Sequence, residues 1–203
     1  MNVQIDKASL SNVRFVLRGI QDEAPKILSR ALNATAKKAR TEGSKAIRKE
    51  VNLKASYVNS RLTIRKATFR NLQSKVITPS RGLLLSRFST NAQVRNENIS
   101  WIKPPQVPKR GIKVKVSPGG GSKTITGDSE TKGQPFYIAL SNGRAAIAAR
   151  RKQLGPRGGK LKVFYGPSLS QVFNNVVDDL RGPLAEYQEE QVSKQIDSVL
   201  RGY

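Results

Sequence analysis

From Ile27 to Lys49, small and apolar residues return at spacings of three and four: Ile27, Leu28, Ala31, Leu32, Ala36, Ala39, Gly43, Ala46 and Ile47. No proline interrupts the stretch, so the spacing predicts an amphipathic helix of about 25 residues. Pro25, just after Asp22 and Glu23, belongs in its first turn. There a missing N–H costs nothing, and the carboxylates face the positive end of the helix. The buried stripe is rich in Ala and Gly rather than Leu, which lets a second element approach closely and predicts a helix packed over much of its length. The opposite face carries Lys37, Lys38, Arg40, Lys45, Arg48 and Lys49. These six form either a solvated face or a surface turned to DNA or to a partner.

Outside this helix the period changes. Residues 3–20 alternate and then turn helical, with Val13, Val16, Leu17 and Ile20 on one face. A second short helix is expected over Ala55–Leu62. Leu62–Ala67 and Leu72–Ile77 alternate as half-buried antiparallel strands do, and Pro79–Gly82 reads as a turn. Residues 103–132 begin proline-rich, then alternate Ile112, Val114 and Val116 with Lys113 and Lys115, and pass through Ser117–Ser122 to Lys123–Thr126. This is either an extended β-hairpin arm with a basic outer face or an unstructured insertion. Pro135–Leu140 and Ala145–Arg150 flank Ser141-Asn142-Gly143-Arg144, a hairpin turn. Leu161–Tyr165 is a further strand closed by Gly166-Pro167, and Ser168 is a cap for a helix carrying Val172, Phe173, Val176, Val177 and Leu180. Gly182-Pro183 is expected to interrupt that helix, leaving 184–203 as a separate acidic partner helix. No strand–helix–strand alternation appears. The expected class is α+β: a long N-terminal helix and a C-terminal helix packed on a mixed or antiparallel sheet, in a single domain over 1–203.

Charge bounds the function. The 203 residues hold 37 Lys and Arg against 14 Asp and Glu, a net +23. Val51–Asn96 contains nine cations and no acid, Thr131–Val177 eight and none, and residues 178–203 invert the sign with six acids against three cations. Such a polarised chain calls for a polyanion, an acidic surface or its own acidic tail as complement. Arg150, Arg151 and Lys152 end an apolar strand and join the helix cations as candidate DNA- or partner-facing residues, with a solvated strand end as the alternative.

No His and no Cys are present. Thiol nucleophiles, Ser-His-Asp triads and Cys/His zinc sites are therefore excluded. Gly119-Gly120-Gly121-Ser122-Lys123-Thr124 lacks the spacing and the subsequent helix of a phosphate loop. Asp128 and Glu130 lie in a loop, and Asp178-Asp179 are adjacent on a helix where neighbours diverge, so paired-carboxylate catalysis has little to work with. The chain is expected to be no enzyme and to use no cofactor or metal. It carries no zinc-finger spacing and no RNA-recognition strand, so any nucleic-acid contact is expected to be with phosphates, sequence-independent and salt-sensitive. No run approaches the ~18 apolar residues of a spanning helix, and residues 1–6 lack the pattern of a signal peptide.

Two segments carry a family likeness. Arg30–Glu42, continuing through Ala46–Glu50 to Leu53–Val58, and the run Leu161-Lys162-Val163-Phe164-Tyr165-Gly166-Pro167-Ser168-Leu169-Ser170-Gln171-Val172-Phe173 together resemble the phage minor tail protein Z family. The resemblance spans roughly residues 25–80 and 135–180 and excludes the 103–132 arm. It implies a non-enzymatic tail completion protein at the head-proximal end of a long phage tail. That protein would sit in the virion neck, be assembled in the host cytoplasm, and form a ring of identical copies, a hexamer, around the DNA channel. Implied partners are the tail terminator or tail tube, neck connector proteins and double-stranded DNA bound non-specifically, with no membrane. It also implies a turn at Tyr165, Gly166, Pro167 and Ser168. A free, sequence-independent nucleic-acid-binding protein is the alternative.

Overall fold

The fold is that of a computed structural model, which describes residues 2–3, 23–95, 105–154 and 159–201. The expected helical stretch carrying Val13, Val16, Leu17 and Ile20 lies outside the described residues. The class is α+β, as the sequence implies. The chain forms two compact units, each assembled from separated stretches. The first takes 1–47, 55–79 and 170–203, and the second takes 48–54 and 80–169.

In the first unit, helix α1 (Ala24–Glu50) runs through to Ile47. Ala31, Leu32, Ala36, Ala39 and Ile47 are fully buried along it, which is the stripe read from the spacing. Helix α2 (Ala55–Arg61) buries Val58. Arg40 of α1 donates from Nη2 to the Asn59 carbonyl at 2.7 Å, satisfying a C-terminal carbonyl that the short helix leaves open. Strands β1 (Asn2–Val3), β2 (Thr63–Arg65) and β3 (Ser74–Ile77) form a three-stranded antiparallel sheet in the order β1-β3-β2. The β2–β3 connection is tied to α1 by one side chain. Asn33 Nδ2 donates to the Ala67 carbonyl at 3.1 Å, and the Ala67 N–H donates to Asn33 Oδ1 at 2.8 Å. Leu32 packs with Ala67 and Leu72 beside that clamp.

Helix α4 (Leu169–Leu200) closes the unit, its residues from Ser170 onward belonging there. It corrects one expectation: Pro183 lies inside the helix, and 184–200 continues the same element. Proline removes one backbone hydrogen bond and costs about 3 kcal/mol in a helix interior. Burial on both sides offsets this, through Val172, Phe173 and Val176 before the proline and Leu184 and Val192 after it. Gly43 of α1 lies against the Phe173 ring of α4. A β-carbon there would stand 2.5 Å from Phe173 Cε2, so only glycine accommodates the ring.

The second unit holds β4 (Gly82–Leu84), a 3-10 turn (Leu85–Phe88), a short helix α3 (Ala92–Arg95) and strands β5 (Lys113–Val114) and β6 (Lys123–Thr124). It also holds β7 (Thr131–Ala139), β8 (Ala145–Arg151), β9 (Leu161–Val163) and β10 (Tyr165–Ser168). β7, β8 and β9 make an antiparallel sheet with β8 central, and Ala145–Ala149 are all buried. The hairpin turn falls where expected, with Gly143 at φ 74° and its N–H donating to the Leu140 carbonyl. Among the described residues every strand outside β7 and β8 has two to four residues, and the strands form four small antiparallel sheets.

One further expectation changes, and of the two alternatives for the arm the hairpin is the one found. Tyr165–Ser168 is an irregular strand paired with β4, not a tight turn: Tyr165 opposes Leu84, Ser168 opposes Gly82, and the register shifts between them. Pro167 has no N–H to give a ladder, which suits a bulged strand. Gly166 is held there by packing, since a β-carbon would meet Phe88 Cε2 at 2.9 Å. The arm is a hairpin, with Lys113 opposite Thr124 and Val114 opposite Lys123. Its base is fixed to the unit. Ile112 and Val114 are buried, the Thr90 N–H donates to the Lys113 carbonyl, the Lys115 N–H to the Phe88 carbonyl, and the Asn52 N–H to the Val116 carbonyl at 2.7 Å.

Candidate polyanion interface

The charge excess is divided unequally between the units. Twenty cations and four acids fall in the second, against seventeen and ten in the first. The second unit therefore has more than twice the net charge of the first in a slightly shorter length of chain, and the two present different surfaces.

In the first unit a cavity of about 700 Å³ lies along one face of α1. Arg30, Ala34, Lys37, Lys38, Thr41 and Lys45 line it at spacings of three and four, which place them on one side of the helix. Lys66 and Tyr187 complete the rim. Glu42 is the single carboxylate in the lining. It takes Lys45 Nζ at 3.0 Å and Lys38 Nζ at 3.9 Å, and Lys38 also sits 5.5 Å from the centre of the Tyr187 ring. Arg30, Lys37 and Lys66 are exposed and have no carboxylate partner among the described residues. Three of the six helix cations singled out in the sequence thus share this cavity. The others do not. Arg40 is half-buried and turned to α2, and Arg48 and Lys49 belong to the second unit.

In the second unit the cations at the end of β8 separate. Arg150 and Lys152 are exposed, whereas Arg151 Nη1 reaches Glu130 Oε2 at 3.2 Å. Lys162 of β9 joins the same group, at 2.5 Å from Asp128 Oδ2 and 2.9 Å from Glu130 Oε2. The hydrogen bond from Lys162 holds both carboxyls below their ordinary range, and the bond to Asp128, then that to Glu130, raises Lys162. Two carboxylates so stabilised in their ionised form are poorly suited to donate a proton near neutrality. Carboxyls with lowered pKa values add stability above their ordinary values of 3.8 and 4.5 and lose it as pH falls through the lower folded values. Lys162→Met is therefore expected to be less heat-stable than the parent at about pH 7, the gap closing by about pH 2. Thermal melts of the two proteins across that range check this, and a gap that persists unchanged at about pH 2 would remove the ion group as its cause.

Asp128 and Glu130 are thus engaged by Lys162 and Arg151, not by the cations of the β5–β6 hairpin. Lys109, Arg110, Lys113 and Lys123 are exposed, Lys115 is half-exposed, and none has a carboxylate partner among the described residues. The alternation of Lys113 and Lys115 with buried Ile112 and Val114 is the sequence signal for this surface. Strand periodicity alone accounts for that alternation, so in the sequence it does not point to a site. At Tyr165 the exposed ring is met by Arg81, whose guanidinium lies 5.8 Å from its centre and 3.3 Å from its hydroxyl.

Among the described residues no cluster of three or more metal-ligating side chains occurs, and no helix is long and apolar enough to cross a membrane. The family model for prophage minor tail protein Z matches residues 10–203. No curated protein and no solved structure matches the chain.

Proposed function

The chain belongs to the prophage minor tail protein Z family, and from that premise we propose that it completes the head-proximal end of a phage tail as a ring of identical copies around the DNA channel. Family membership makes it a structural protein of the bacteriophage tail and so a virion component. The neck position, the ring, the absence of a catalytic role and the contacts with tail terminator, tube and connector are our extension of that membership. The observation that carries the extension is the second unit's surplus of cations, whose neighbouring acids Asp128 and Glu130 are taken by Lys162 and Arg151. Cations facing DNA phosphates in a channel lose their mutual repulsion, and a channel that must pass any sequence has no use for base readout.

The test is the mass of the purified assembly together with particles made without the protein. The reading expects a closed oligomer in the absence of DNA, and tails that fail to join filled heads when the protein is missing. A monomer, with complete and infectious particles formed in its absence, would overturn it. A monomer that binds duplex DNA in a steeply salt-dependent way would instead favour the free nucleic-acid-binding reading.

A further inference from the structure

The first unit carries two faces of opposite charge that do not neutralise each other within one chain. One is the α1 cavity, where Arg30, Lys37 and Lys66 have no carboxylate partner among the described residues. The other lies on α4. Asp179, Glu186, Glu190 and Asp197 are spaced by seven, four and seven residues, which at 100° per residue brings all four within about 40° of one line. All four are exposed. Glu190 is held by Lys194 on the same helix, and the other three have no cationic partner among the described residues. The apolar anchors Leu184 and Val192 lie on the far side of the helix.

The two faces also match in length. Arg30 to Lys45 spans about 22 Å of helix and Asp179 to Asp197 about 27 Å, at 1.5 Å per residue. We propose that the acidic face of α4 in one copy docks along the basic α1 cavity of the next copy, giving a head-to-tail contact. Two unlike surfaces on one chain are what a heterologous, ring-closing interface requires. A self-complementary patch would instead place like charges together in part of its area. This inference rests on the oligomeric reading above and assigns the surfaces that make it.

Charge reversal tests it. Asp179→Lys with Glu186→Lys gives an α4-reversed protein, and Arg30→Glu with Lys37→Glu gives an α1-reversed one. Each alone is expected to run as a monomer by light scattering at about 0.1 M salt. An equimolar mixture is expected to recover the parent mass, because each reversed face then meets an opposite one on the other protein. Recovery on mixing also shows that both variants are folded. Parent protein that assembles while both variants assemble equally well overturns this contact and leaves the ring standing. A monomeric parent overturns both. If the α1-reversed protein still assembles but loses affinity for a duplex DNA of random sequence, the cavity serves phosphate and the proposed docking is wrong.

Discussion

Truncating Phe173 to alanine is expected to lower the protein's stability by about 3–5 kcal/mol, the usual cost of deleting a buried ring. Phe173 is 1% exposed, and its ring occupies the space above Gly43 where a side chain would otherwise stand. The sharper expectation concerns Gly43→Ala. In an isolated helix interior that change stabilises by about 1 kcal/mol. Here the added carbon would stand 2.5 Å from one ring atom and 3.3 Å and 3.4 Å from two more. Forcing an atom into a filled site costs about 1–3 kcal/mol, so the net effect in the parent is a loss. In the Phe173→Ala background the clash is gone, and the same substitution should stabilise. Urea denaturation of the parent, both single variants and the double variant measures this inversion of sign. If Gly43→Ala stabilises in both backgrounds, the close approach is not what selects glycine.

That contact shows where sequence reading succeeds and where it stops. The α1 stripe is legible because helical spacing repeats over many turns, and Gly43 can be placed on it without knowing what it faces. Pro183 reads as a break because proline ends helices by a local rule. That rule omits the long-range burial of Leu184 and Val192, which holds the helix together. Tyr165–Ser168 reads as a turn because Gly-Pro is a turn signal. Its pairing with β4 depends on Leu84 and Gly82, some 80 residues away. The stretch 82–95 suggests no element at all, since β4, the 3-10 turn and α3 are each too short to set up a period. For the interface, the total charge is legible and its division is not. The units are assembled from interleaved stretches, so runs of cations that look continuous in the chain belong to two bodies. Asp128 and Glu130 likewise cannot be assigned from their loop alone, because Lys162 reaches them across more than thirty residues.

Replacing Lys113, Lys115 and Lys123 together with glutamine is expected to weaken binding to random-sequence duplex DNA by about 100- to 1,000-fold at 0.1 M salt. Counterion release sets this magnitude. Each cation that meets a phosphate contributes about 0.9 to the slope of log affinity against log salt, and at 0.1 M that amounts to roughly eightfold per contact. The same three replacements should lower the steepness of that plot by about 2 to 3. These side chains are suited to the substitution because what fixes the hairpin is backbone: the Lys113 carbonyl takes the Thr90 N–H, the Lys115 N–H goes to Phe88, and Ile112 and Val114 provide the buried anchor. Glutamine leaves all of these in place, so loss of charge and loss of fold are separable by a thermal melt. Lys162 serves as the internal control, because its ammonium is already committed to Asp128 and Glu130 and should contribute little to the salt dependence. Two results would count against the hairpin as the phosphate-facing surface. One is an unchanged slope in the triple variant. The other is a loss confined to particular DNA sequences, since an array of lysines on a short hairpin carries nothing that distinguishes one base pair from another.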